Sequence, residues 1–192
     1  MSSASGGKPS WGKQCEIWWQ SLQRRRQDGT PNPASDPGAL ARLRRAASPL
    51  EAAQEPQTIV LYRRLHGPHF NEARLEATAV VAAVLGNIRS NVESSTAELL
   101  GRGDQPVMSP LRMRRLTSAR NAQETLRGFR EAVALLGGNA PVADVASSIF
   151  DWLDDDRADA RKTRWLYHYY SAGIADPTRD DEPDVAGPAP SA

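Results

Sequence analysis

A single cysteine, Cys15, among 192 residues leaves the chain without an intrachain disulfide and without a thiolate metal cage. No apolar run approaches the roughly 20 residues that a membrane-spanning helix needs. The first residues also lack a secretory hydrophobic segment, so the expectation is a soluble, cytoplasmic protein that meets no membrane. Catalytic signatures are missing as well: there is no glycine-rich phosphate loop, no nucleophile elbow and no serine, histidine and aspartate arrangement. His66 and His69 flank Gly67-Pro68, which breaks any helix that would align them as metal ligands, and no third ligand accompanies them. Asp154-Asp155-Asp156 lacks the alternating oxygen ligands and central glycine of a calcium loop and reads as a solvated turn with a helix N-cap. These absences point away from an enzyme and towards a chain with no cofactor, no metal and no small-molecule substrate.

Lysine is scarce too, three residues against 21 arginines, and the arginines are clustered. The formal net charge of +1 hides this, because Asp176, Asp180, Asp181, Glu182 and Asp184 crowd the C-terminal tail against Arg179 alone and leave the body basic. Between Arg102 and Arg130, seven arginines stand against only Asp104 and Glu124. A guanidinium stays charged at any relevant pH and its fork fits phosphate oxygens two at a time. A helical face carrying several of them is the footprint expected for a nucleic-acid backbone.

The pattern between the tails is repeatedly helical, without an internal repeat or a hairpin signal. Ser10 is a good N-cap for a first helix whose Trp11, Cys15, Trp18 and Leu22 form one apolar stripe, and Arg24 to Arg26 are expected to close it. Asp36-Pro37, Ser48-Pro49-Leu50-Glu51, Ser95-Thr96-Ala97-Glu98, Ser109-Pro110 and Asn121 with Glu124 all read as helix starts. Thr58 to Tyr62 could be a short strand, but Leu61, Tyr62 and Leu65 favour a buried helix. Residues 71–89 form the long Ala, Val and Leu segment expected to pack fully. Leu126, Phe129, Val133 and Leu136 form a stripe ended by Gly137-Gly138, and 144–153 and 156–170 complete the set. The fold class is therefore all-α: a compact helical bundle or two small helical lobes (10–105 and 106–175), with disordered tails at 1–9 and 176–192.

Arg112 and Arg115 are neighbours at i,i+3, with Arg114 on the same general side and Met113 and Leu116 pointing away. Arg127 and Arg130 flank the apolar stripe of the next helix, and Arg120 lies between the two helices. The candidate backbone contacts are Arg112, Arg115, Arg120, Arg127 and Arg130, with Arg44 and Arg45 in a second patch beside Arg42. The bland alternative is surface ion pairing, for instance of Arg127 with Glu124 or Glu131. On the last helix Arg157, Arg161, Arg164 and His168 share one face, and Trp165, Leu166, Tyr169 and Tyr170 are expected to be core on the other. That arginine row has Asp151 and Asp154 available as partners.

Taken in order, the segments resemble the CasB family, the small subunit of the type I-E CRISPR surveillance complex called Cascade. The resemblance runs through Trp18-Trp19-Gln20-Ser21-Leu22, Ala41-Arg42-Leu43-Arg44-Arg45, Leu61-Tyr62-Arg63-Arg64-Leu65, residues 111–120, Leu126-Arg127, Phe150-Asp151-Trp152 and residues 161–170. It covers nearly all of Ser10 to Gly173; the proline-rich stretch between Arg26 and Asp36 and the acidic tail depart from it. The resemblance implies an all-helical subunit without catalytic activity, present in two copies. Its implied partners are the other Cascade subunits, CRISPR RNA, target double-stranded DNA and the displaced single strand of the R-loop. Read from the residues alone, a helix-turn-helix regulator or a purely structural adaptor remains open.

Overall fold

The computed structural model describes residues 10–25 and 28–174. Arg26 and the two tails assigned from sequence lie outside the described residues. The described residues form ten helices: α1 Trp11–Leu22, α2 Pro37–Arg45, α3 Pro49–Ala53, α4 Pro56–His66, α5 Glu72–Leu85, α6 Thr96–Gly101, α7 Pro110–Thr117, α8 Ala122–Leu135, α9 Val142–Trp152 and α10 Ala158–Ser171. No strand longer than an isolated bridge occurs among them, and none of these helices is long and apolar enough to cross a membrane.

α5 is the axis of the molecule. Every residue from Ala77 to Leu85 is buried, so this part of the helix is enclosed on all sides rather than amphipathic. Its alanines let neighbours approach closely, and α2, α3, α4, α8 and α9 all pack against it. The shell helices show the one-sided burial expected of them: Trp18 and Leu22 in α1, Leu61 and Leu65 in α4, Leu126, Phe129 and Val133 in α8. The segment with two possible readings, 58–62, is helical; its β-branched Ile59 and Val60 face solvent while Leu61 and Tyr62 are buried.

Local capping chemistry starts several helices, at Asp36, Ser48 and Asn121 as the sequence indicates and at Asn71 besides. Side chains of Asp36, Ser48, Asn71 and Asn121 accept from the backbone N–H three residues on, at 2.8–3.1 Å. Three boundaries differ, each because of a distant partner. α1 stops at Leu22, before the arginines expected to close it, because the Asn32 side chain donates to the carbonyls of Ser21 (2.8 Å) and Gln23 (3.0 Å) and turns the chain out. α5 stops at Leu85; Gly86 caps it, and Arg89 and Ser90 instead donate their backbone N–H groups to Gly138 O. The capping box at Ser95 does not form. Asp144 of α9 takes that place, accepting from the Thr96 N–H (2.9 Å) and hydroxyl (2.6 Å), and Glu98 turns to His168.

α1 and α9 pack with almost no gap at Gly12, where an added Cβ would lie 2.3 Å from Ser147 Oγ and 2.4 Å from the Ala143 carbonyl oxygen. Such overpacking costs about 1–3 kcal/mol. Gly12→Ala is therefore expected to lower the melting temperature by roughly 2–10 °C in a circular-dichroism melt, with helix content at low temperature unchanged.

Candidate nucleic-acid interface

The arginines divide by what already holds them. On α10 the row is neutralised from within. Arg157 pairs with Asp154 (2.7 Å) and Asp151 (3.4 Å), and its hydrogen bond holds the Asp154 carboxyl below the usual carboxylate range. Arg161 reaches Asp144 (2.9 Å) and Ser148 Oγ (2.7 Å). His168 Nδ1 lies 3.0 Å from Glu98. Arg164 is exposed and has no ionic or hydrogen-bond partner for its guanidinium among the described residues. Trp165 and Tyr169 are core, Trp165 lying edge-on to Phe129 and Trp152. Tyr170, expected to join them, is 48% exposed, because its position on the helix falls outside the arc that α6 and α9 cover.

α7 and α8 place Arg115 and Arg127 on the walls of one groove of about 510 Å³. Ser109 and Asn121 cap the two helices and set this register. Arg114, Arg115, Arg120 and Arg127 are exposed, and their guanidiniums make no hydrogen bond or ion pair among the described residues. Two carboxylates share the groove: Glu131 lies 3.2 Å from Arg112, and Glu124 accepts from the Arg120 backbone N–H at 2.9 Å. Exposed pairs like Arg112 with Glu131 are weak and exchange readily.

Arg130 is committed elsewhere. Its Nη1 donates to Ala46 O (2.7 Å) and its Nη2 to Leu43 O (2.9 Å), so it caps the carbonyl end of α2 across the core. Burial pushes its pKa down, opposed by the charge of Glu51. Gln123 donates to Ala47 O nearby (3.1 Å), making α8 a brace for α2.

On α2, Arg42 is held in a two-bond fork by Glu55 (2.6 and 3.1 Å). Arg45 is exposed and has no such side-chain partner among the described residues. Arg44 donates through Nε to Gly86 O (3.0 Å), and the rest of its fork faces a cleft also lined by Arg24, Arg25 and Arg89. Sequence reading misses Arg24 and Arg89 as candidates, because it places both in helices that end earlier. The early ends depend on distant contacts, Asn32 turning the chain out after α1 and residues 138–140 taking over the backbone of Arg89 and Ser90.

The remaining chemistry is structural. His66 packs among Trp11 (5.0 Å between ring centres), Tyr62 and Phe150, while the carbonyl of His69 accepts from the Tyr62 hydroxyl (2.7 Å). Cys15 is buried and its thiol is pushed up to about 12 by desolvation. Among the described residues no group of three or more His, Cys, Asp and Glu side chains could hold a metal ion.

A profile of the family described as CRISPR-associated protein Cse2 matches residues 39–170. The crystal structure of CasB from Thermus thermophilus superimposes with a TM-score of 0.60 at 22% identity, covering 83% of this chain and 97% of that one. That likeness is one of fold. No curated protein matches the sequence.

Removing the Arg130 fork strips two carbonyls of a charged donor, worth about 1.5–3 kcal/mol. Arg130→Met is expected to lower the midpoint of chemical denaturation accordingly, whereas Arg127→Met should stay within about 0.5 kcal/mol of the parent.

Proposed function

The chain belongs to the CRISPR-associated Cse2 family, and on that premise we propose that it is a non-catalytic subunit of the RNA-guided Cascade complex. Within that complex it binds the nucleic-acid backbone without reading sequence. The observation that carries this is that the exposed guanidiniums of Arg115, Arg120 and Arg127, joined by Arg112 once Glu131 is displaced, have no partner among the described residues. Arg157, Arg161 and Arg42 are engaged by acids, whereas Arg115 and Arg127 share their groove with Glu124 and Glu131 without an ion pair to either, so their charge is available to phosphate. Arg44 and Arg45 extend the surface, and Arg130 is assigned to the fold. The role is to steady the R-loop, in particular its displaced strand. Duplex opening against a guide RNA is nearly balanced energetically, so backbone contacts of modest strength tip it. Other Cascade subunits, CRISPR RNA, target DNA and a second copy of the chain are the partners of this reading. Exposed Leu50, Phe70, Tyr167 and Ile174 offer apolar contacts for neighbouring subunits.

A helix-turn-helix regulator would need a recognition helix free to enter a major groove. α8 is packed against α3, α5, α7 and α9, which tells against that alternative.

Phosphate binding releases counterions, so the log–log salt slope for a single strand falls by about 0.7 for each phosphate no longer engaged. Measured by fluorescence anisotropy with a labelled 20-nucleotide strand, Arg115→Ala with Arg127→Ala is expected to flatten the slope by about 1.4. Binding that is absent even at low salt in the parent protein would favour a purely structural adaptor instead.

A further inference from the structure

A cleft of about 710 Å³ opens between α1, α2 and the turn that follows α5. Arg24, Arg25, Arg44 and Arg89 line it, and its floor is apolar, formed by Trp19 and Leu40. A second groove of about 240 Å³ adjoins it on the other side of Arg44 and Arg89, which line both. Among the described residues no aspartate or glutamate lines either one, in contrast to the α7–α8 groove with its Glu124 and Glu131. Glu16 approaches through Gln20 and Asn91, but it is buried and already accepts from Lys13 (2.9 Å), Gln20 (3.0 Å) and Asn91 (3.3 Å).

The four arginines are anchored, Arg25 and Arg44 through one guanidinium nitrogen each and Arg24 and Arg89 through their backbones. Arg44 is fixed by Gly86 O, Arg25 donates to Gly29 O (2.8 Å), and the Arg24 carbonyl accepts from Asn32 N–H (2.9 Å). Arg89 is anchored by its N–H to Gly138 O (2.8 Å), and its stem packs so tightly over Gly138 that a Cβ there would lie 3.1 Å from Arg89 Cγ. Four like charges gathered in a concavity lined by no described carboxylate repel one another until an anion enters. Because the charged pair Arg44 and Arg89 divides two consecutive grooves, the anion that fits carries charge at repeated intervals along its length. The apolar floor suits sugar or base edges.

The adjoining groove also contains Ala134, which is exposed. Ala134 lies seven residues beyond Arg127 on α8, on the same face and about 10 Å along the axis. We propose that this cleft is a distinct backbone-binding site, and that a single sugar–phosphate strand runs from the α7–α8 groove along α8 into it. This rests on the nucleic-acid reading above.

The test uses the full chain with fluorescein-labelled oligothymidylate and oligouridylate of 20 nucleotides, titrated over a salt series. Arg24→Ala with Arg89→Ala is expected to flatten the slope by about 1.4, and Arg24→Lys with Arg89→Lys to restore most of it. Combining the alanine pair with Arg115→Ala and Arg127→Ala should roughly double the loss. The strand type bound more tightly by the parent, and weakened more in the cleft variant, identifies the occupant as DNA or RNA. An unchanged slope in the cleft variant, alongside a reduced one in the Arg115 and Arg127 variant, overturns the cleft and leaves the proposed function standing. A parent protein that binds neither strand at low salt overturns both. An unaltered melting temperature in the cleft variant ensures that any loss is electrostatic.

Discussion

The carbonyl end of α5 is the constraint on which the remaining architecture turns. A helix buried on all sides brings its last carbonyls into the core, where leaving one unpaired costs about 1–3 kcal/mol. Donors arrive from different elements: Trp19 Nε1 of α1 reaches Leu85 O (3.1 Å) and Arg44 Nε of α2 reaches Gly86 O (3.0 Å). Gly86 lets α2 in this close, since a Cβ there would lie 3.1 Å from the Arg44 backbone nitrogen and 3.2 Å from the Leu40 oxygen. Satisfying the end of the central helix thus fixes how α1 and α2 sit, and the same act sets Arg44 at the mouth of the cleft. The basic surface is a by-product of capping the core.

Arginine does three jobs in this chain. It caps carbonyls (Arg44, Arg130), it clamps helices through carboxylates (Arg42 with Glu55, Arg157 and Arg161 with the acids of α9 and its turn), and on the surface it has no side-chain partner among the described residues (Arg115, Arg120, Arg127, Arg24, Arg89). The third group lies on the α7–α8 face and around the end of α5. The α10 side neutralises much of its charge internally and instead exposes Tyr167, Tyr170 and Ile174. One side of the bundle therefore carries guanidiniums unpaired among the described residues, and another exposes apolar side chains. That division suits the subunit role proposed above.

Much of the fold was legible because its signals are local. The all-α class, the central role of 71–89 and the starts of α2, α3 and α8 follow from periodicity and from caps whose donor and acceptor sit three residues apart. What could not be read needed partners far along the chain. Asn32 ends α1, Asp144 caps α6, and Gly138 takes over the backbone of Arg89. The candidate site shows the same split. Exposure of Arg115 and Arg127 follows from the helical phase set by Met113, Leu116 and Leu126. The capture of Arg130 by carbonyls more than 80 residues away leaves no local trace. Clustering of charge in sequence located the arginine-rich helices, but only the positions of acids in space separate free guanidiniums from neutralised ones.

Hydrogen exchange read by mass spectrometry, on the protein alone and saturated with a single strand at low salt, tests the central claim most directly. The account predicts slowed exchange at residues 40–45, 87–91 and 114–128, with α4 and α10 unchanged. Protection concentrated on α4 and α10, with the turn after α5 unaffected, would contradict it.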